Sequence, residues 1–195
     1  MTSPRVVLQS LLSAADERAL AQLVCGGAAA PSLDVLAAAL RVAFQLELAC
    51  DPDIVAGYAQ DSSHLPGRAD AVCRPRSARE CAIMIRACAL GCIPCTIAGG
   101  RSNLTGSATP EGGVIIALEQ LTAPAPTVDD TGGTVQAPAG IILEHLRDEV
   151  LRQTCGRWYF PVNPTSRADA QLGGALACNA SGFTPGAPGA MRHWV

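Results

Sequence analysis

The chain has 195 residues, 49% of them hydrophobic and 16% charged, with a formal net charge of −3 at pH 7; this is a core-forming composition and excludes a disordered chain. No block of basic residues is present, which argues against a nucleic-acid partner. All fourteen basic residues are arginine, so a Walker A loop, a Schiff-base lysine and a kinase strand lysine are each excluded within these residues.

In chain order, residues 5–24 and 32–48 are predicted helices. Leu8, Leu11, Leu12 and Ala15 fall at helical spacing, as do Leu36, Leu40, Ala43 and Phe44. Ser32 and Asp34 after Pro31 suit a helix start, and Gly26-Gly27 separates the two segments. Residues 1–50 read as a helical N-terminal extension. The opening residues lead into an amphipathic stretch holding Asp16, Glu17 and Arg18, which is not a secretory h-region. No apolar run reaches transmembrane length. A cytoplasmic location is the expectation.

Asp51-Pro52-Asp53 opens the next segment, and Tyr58 to Gly67 is loop with turn chemistry from Asp61 onward. Ala71-Val72-Cys73 is a short strand ended by Pro75. Ser77 and Glu80 have capping-box spacing. The helix they open is expected to turn Cys81, Ile85, Cys88 and Ala89 inward and to end with Gly91 at the C′ position. Cys92 to Ile97 returns as strand, completing a βαβ unit. Val114 to Leu118 and Thr134 to Ala137 are strands, and Pro124-Ala125-Pro126 is loop. Ile141 to Arg152 is a helix with Leu143, Leu146 and Val150 inward. The class is α+β.

Two glycine-rich stretches stand out. The first is Ala98-Gly99-Gly100-Arg101-Ser102-Asn103-Leu104-Thr105-Gly106; the second runs from Asn163-Pro164-Thr165-Ser166 through Gly173-Gly174 to Asn179-Ala180-Ser181-Gly182. Backbone this poor in side chains can approach a ligand closely and aim successive N–H groups at phosphate oxygens. Ser102 and Thr105 are expected to add hydroxyl donors. Two such stretches point to one extended cofactor lying across both.

Nine cysteines, an odd number in apolar contexts, read as reduced core thiols. Cys88, Cys92 and Cys95 have the CxxxCxxC spacing of radical-SAM cluster sites. The helix-then-strand reading sends these thiols to different places, so no metal is expected. An iron–sulfur protein stays open as one alternative, and a non-enzymatic nucleotide-binding or interaction module as another.

The ordered segments Asp70 to Ser77, Ile93-Pro94 with Ala98 to Gly106, Val135 to Gly140, and Asn163 to Gly182 resemble the PCMH-type FAD-binding domain of vanillyl-alcohol-oxidase-like flavoproteins. The branch they are most similar to is the glycolate oxidase and D-lactate dehydrogenase group of FAD-linked oxidases. The resemblance implies the first portion of that domain over residues 51–195, incomplete at its C-terminus, behind the helical extension. It also implies an oxidoreductase that passes hydride from a small 2-hydroxy acid to flavin, with an unknown electron acceptor. FAD would rest on Ala98 to Gly106, with Pro164, Thr165, Gly173, Gly174, Asn179, Ala180, Ser181 and Gly182 forming the second contact surface.

Two departures shape the expectation. Arg101 stands where the family has a third glycine and where covalent relatives resembling berberine bridge enzyme carry a histidine, so non-covalent FAD is expected. The family also continues beyond Val195 into a substrate-binding cap. Trp194-Val195 is therefore expected to begin a strand, to leave an exposed sheet edge, and to lie short of any catalytic acid or base, none of which is assignable in this chain.

Overall fold

The computed structural model describes residues 11–27, 31–182 and 189–195. Helix α1 spans Ala14–Cys25 and α2 spans Leu33–Phe44. Residues 5–10 of the first predicted helix, with Leu8, lie outside the described residues. The predicted segment is not one continuous helix, because Ser13 leaves helical geometry to cap α1. Its hydroxyl accepts the Asp16 N–H, and the Asp16 carboxylate accepts the Ser13 N–H in return. The break resets the helical phase. Asp16, Leu20 and Val24 face inward, while Leu11 and Ala15 are exposed.

Helix α2 buries Leu36 and Leu40 and leaves Ala43 exposed. It ends four residues before its predicted limit, where Gln45 turns left-handed at φ 57°. Leu48–Ala49 then forms strand β1, of which only Leu48 falls within the predicted helix. Helix α3, Pro52–Ala56, is capped by the Asp51 carboxylate. Strand β2 is Ala71–Cys73, helix α4 is Ala78–Gly91, and strands β3 and β4 are Cys95–Ala98 and Val114–Ala117.

The sheet order is β1-β2-β4-β3, with β1 antiparallel and the other three mutually parallel. The predicted βαβ unit is present, but β4 lies between its two strands. Both faces of β4 are buried. Val114 and Ile116 join the core formed by Leu20, Leu36, Leu40, Ile83 and Met84, and Ile115 and Ala117 pack with Val55, Val72 and Ala98 on the other face. A parallel strand covered on both sides reads as an unbroken apolar run, as Val114-Ile115-Ile116-Ala117 does. The helices before residue 50 thus share one core with the sheet. Two ion pairs reinforce this, Asp16 with Arg79 at 2.5 Å and Glu17 with Arg86 at 2.9 Å.

Helix α4 differs from its predicted stripe. Its buried residues are Ala82, Ile83, Met84, Ala87 and Cys88; Cys81 and Ile85 are half-buried and Ala89 is exposed. Glu80 reaches past the cap residue to accept the Arg76 N–H at 2.7 Å. The left-handed residue ending the helix is Cys92, at φ 51°, not Gly91.

Thr127–Asp129, in a stretch not predicted as strand, pairs as β5 with β6, Thr134–Gln136. Helix α5, Leu143–Gln153, buries Leu143, Leu146 and Val150 as its periodicity predicts. These form a second core with Phe160, Val162, Ala175 and Met191. Helix α6 is Leu172–Ala177. Met191–His193 is a single 3-10 turn, and Trp194 closes it through an N–H bond to the Met191 carbonyl, so Trp194-Val195 does not begin a strand.

Candidate functional site

The first glycine-rich stretch leaves the C-terminal end of β3 and returns as β4, with no helix between them. Its shape is imposed by the loop before β2. Asp61, only 5% exposed, accepts the Ser63 N–H at 2.9 Å, the Ser63 hydroxyl at 2.5 Å and, across forty-seven residues of sequence, the Ala108 N–H at 3.2 Å. Burial by itself raises the pKa of this carboxyl. Hydrogen bonds from Ser63, Ala108 and Asn103 outweigh it and hold the value down to about 2. Ser62 adds its N–H and hydroxyl to the Arg101 carbonyl, at 2.9 and 3.2 Å.

Arg101 adopts a left-handed φ of 52°, a conformation that favours glycine. Its guanidinium sits 4.6 Å from the Tyr58 ring centroid, and the Tyr58 hydroxyl donates to Glu119. Within the loop, the Asn103 carboxamide oxygen accepts from the Thr105 N–H and hydroxyl and from the Ser107 N–H. The Thr105 hydroxyl, expected as a phosphate donor, is therefore already engaged inside the loop. Among the described residues, no protein acceptor takes the N–H groups of Ser102, Asn103 or Leu104.

The second stretch packs directly on the first. A Cβ on Gly100 would overlap the Asp169 carbonyl, and one on Gly99 would lie 3.4 Å from the Gln171 carboxamide oxygen and 3.6 Å from the Gly174 Cα. These two glycines thus answer to neighbouring backbone as well as to any ligand. Ser107 Oγ lies 3.4 Å from Cys178 Sγ, a further bridge between the stretches. Gly173 and Gly174 are not in a loop; they form the first turns of α6, with the Gly173 N–H bound to the Ala139 carbonyl at 2.8 Å.

The remaining predicted site residues have mixed placements. Pro164 is buried, Thr165 is exposed, and the Pro164 carbonyl accepts the Arg167 N–H. Asn179, at φ 48°, spends its carboxamide oxygen on the Arg192 N–H. Ala180 and Ser181 tie to residues 190 and 191, and a Cβ on Gly182 would overlap the Asn163 backbone. Asn179, Ala180 and Ser181 thus hold the second stretch to residues 190–192, and Gly182 packs it on Asn163.

Sequence reading missed Asp61, Tyr58 and Gln171. Asp61-Ser62-Ser63 is visible as a turn, but nothing local shows that it braces a loop forty residues away. Gln171 is 7% exposed, and its carboxamide oxygen has no partner among the described residues.

Cys88 is buried and Cys92 and Cys95 are exposed. Burial, with Cys95 beside it, pushes the Cys88 thiol up to about 12, so Cys88 and Cys95 lie together rather than in the different places expected of them. No group of three or more His, Cys, Asp or Glu side chains able to hold a metal occurs among the described residues.

With this geometry in hand, comparison with known proteins is informative. The family described as FAD binding domain matches residues 69–195. The chain belongs to this family. It is 30% identical to the D-lactate dehydrogenase of Archaeoglobus fulgidus over 125 residues, covering 64% of this chain and 27% of that protein. Against the D-2-hydroxyglutarate dehydrogenase of Xanthomonas citri pv. viticola it is 28% identical over 126 residues, covering 64% and 26%. The chain thus spans about a quarter of the length of the curated relatives it matches. Among solved structures, the glucooligosaccharide oxidase of Acremonium strictum superposes with a TM-score of 0.64 at 19% identity, over 80% of this chain and 32% of that one, which shows the shared fold. That oxidase carries a 6-S-cysteinyl, 8α-N1-histidyl FAD. No helix among the described residues is long and apolar enough to cross a membrane.

Proposed function

We propose that this chain holds FAD non-covalently as the cofactor-binding portion of a cytoplasmic oxidoreductase acting on a small 2-hydroxy acid. The observation that carries the reading is the loop itself. Three successive N–H groups, from Ser102 to Leu104, have no acceptor among the described residues, in a loop that Asp61 fixes and that lies against the side-chain-free Gly174. Such amides can bind a diphosphate without lysine or metal. Arg101 adds a cation on the same loop, and its place on Tyr58 limits the entropy lost in holding it.

FAD supplies, when bound, a two-electron acceptor for oxidation at the hydroxyl-bearing carbon. The residues of this chain bind and orient it; none is assigned as acid or base. The 2-hydroxy acid class rests on the two dehydrogenase relatives, both named for substrates of that kind. Non-covalent attachment rests on Arg101, which offers no nucleophile at the family's histidine position.

Flavin-fluorescence titration with FAD, FMN and riboflavin tests the cradle. FAD is expected to bind at least tenfold tighter than riboflavin, a difference of about 1.4 kcal/mol assigned to the diphosphate, and to be released on acid precipitation. Equal affinity for FAD and riboflavin would refute a diphosphate site, and flavin retained after denaturation would refute non-covalent binding. Anaerobic bleaching of the bound flavin by D-lactate or D-2-hydroxyglutarate, measured on the whole oxidoreductase, tests the substrate class.

A further inference from the structure

Three arginines outside the glycine-rich stretches share one cleft. Arg41 comes from the last turn of α2, and Arg74 and Arg76 come from the link between β2 and α4. With Leu48 and Ala49 of β1 they line an open cleft of about 450 Å³, within the roughly 300–1,000 Å³ range of small-molecule sites. None of its lining residues belongs to either glycine-rich stretch.

The cleft holds three arginines against two carboxylates, Glu47 and Glu80. The ion pairs among the described residues use Arg79, Arg86, Arg152, Arg157 and Arg167, and none of the three cleft arginines. Arg76 gives its Nε–H to the neutral Gln120 carboxamide at 3.1 Å, and Arg74 lies near the Tyr58 phenol, which donates to Glu119. Arg41 is exposed and has no side-chain partner among the described residues. One Glu80 oxygen also accepts the Arg76 backbone N–H, and the cleft keeps an excess of one positive charge. Guanidinium groups stay charged at every working pH, and their forked donors match carboxylate and phosphate oxygens. Three guanidinium groups lining one cleft suit an oxyanion that carries more than one negative charge.

We propose that this cleft binds a small multivalent oxyanion, a polycarboxylate or a polyphosphate, through Arg41, Arg74 and Arg76. The cleft shares no lining residue with the flavin loop, although Tyr58 lies between Arg74 and Arg101, and the proposal does not depend on the cofactor assignment.

Isothermal titration of the protein with citrate and, separately, with inorganic pyrophosphate tests this at constant ionic strength. Both titrations are run with and without FAD, so that pyrophosphate at the flavin loop is recognised by its competition with FAD. Arg41→Gln and Arg76→Gln alter exposed side chains, and Arg18→Gln on α1 is the control; urea midpoints verify that each variant folds. The expected result is saturable binding that FAD does not displace, at least tenfold weaker in Arg41→Gln and in Arg76→Gln and unchanged in Arg18→Gln. Tighter citrate than pyrophosphate assigns a polycarboxylate, and the reverse order a polyphosphate. No saturable heat with either anion at about 10 mM, or wild-type affinity in both cleft variants, overturns the proposal.

Discussion

Replacing Asp61 by alanine removes a buried carboxylate that joins the loop before β2 to the segment following the glycine-rich loop. The Ala108 N–H, in a buried contact, loses its acceptor, as do the Ser63 N–H and hydroxyl. A buried donor left unsatisfied costs about 1–3 kcal/mol. The depressed pKa gives a second route to the magnitude. Lowering the carboxyl from 3.8 to about 2 corresponds to about 2 kcal/mol of stabilisation by the charged form. Both figures describe the same hydrogen bonds, and we expect Asp61→Ala to lose about 2–3 kcal/mol, or roughly 5–10 °C in Tm for a chain of this size. The folded pKa lies below the unfolded value, so this stability is fully present above about pH 4 and is lost as pH falls toward 2. Urea unfolding at pH 7 and at pH 3, alongside FAD titration, is the assay. In the wild type the midpoint should fall between the two pH values by more than in Asp61→Ala, and the variant should bind FAD at least tenfold more weakly. An Asp61→Ala midpoint within about 0.5 kcal/mol of wild type at pH 7 would refute the bracing role, whatever the flavin does.

Three further outcomes are expected. Gly100→Ala should destabilise by about 1–3 kcal/mol, because its Cβ overlaps the Asp169 carbonyl, whereas Gly174→Ala, whose Cβ meets only the Gly99 Cα at 3.9 Å, should gain about 0.5–1 kcal/mol of helix stability and weaken FAD; urea melts and flavin titration of both variants separate packing from binding. Asp16→Ala should cost about 1–2 kcal/mol through the lost cap and the Arg79 contact, and a double-mutant cycle with Arg79→Ala should return a coupling of only about 0.5–1 kcal/mol, since Arg79 is half exposed; a coupling above that range would show that solvent screens the pair less than its exposure implies. Anaerobically purified protein should contain substoichiometric iron and acid-labile sulfide; stoichiometric iron lost on Cys88→Ser would reverse the reading of the buried Cys88 thiol.

Much of the architecture was set by local chemistry alone. The unbroken apolar run of β4 needs no partner to be recognised, because a strand buried on both faces has no polar side to show. The Leu143, Leu146 and Val150 spacing of α5 and the Ser77 cap of α4 are equally local, since each is decided within one or two helical turns. The FAD-binding family was legible as a resemblance, carried by segments that follow one another in order along the chain.

Only the tertiary structure decided the rest, because the deciding contacts lie tens of residues apart. That β4 lies between β2 and β3 depends on which strand reaches the sheet's centre, not on any strand's own residues. The inward face of α1 follows from a cap at Ser13 and a partner at Arg79, so a buried Asp16 could not be read from hydrophobic spacing. Gly99 and Gly100 looked like ligand-facing glycines, and their flexibility was legible; the Asp169 and Gln171 groups packed on them were not. The same holds for Asp61, whose turn is local but whose bond to Ala108 exists only once the chain has folded back on itself.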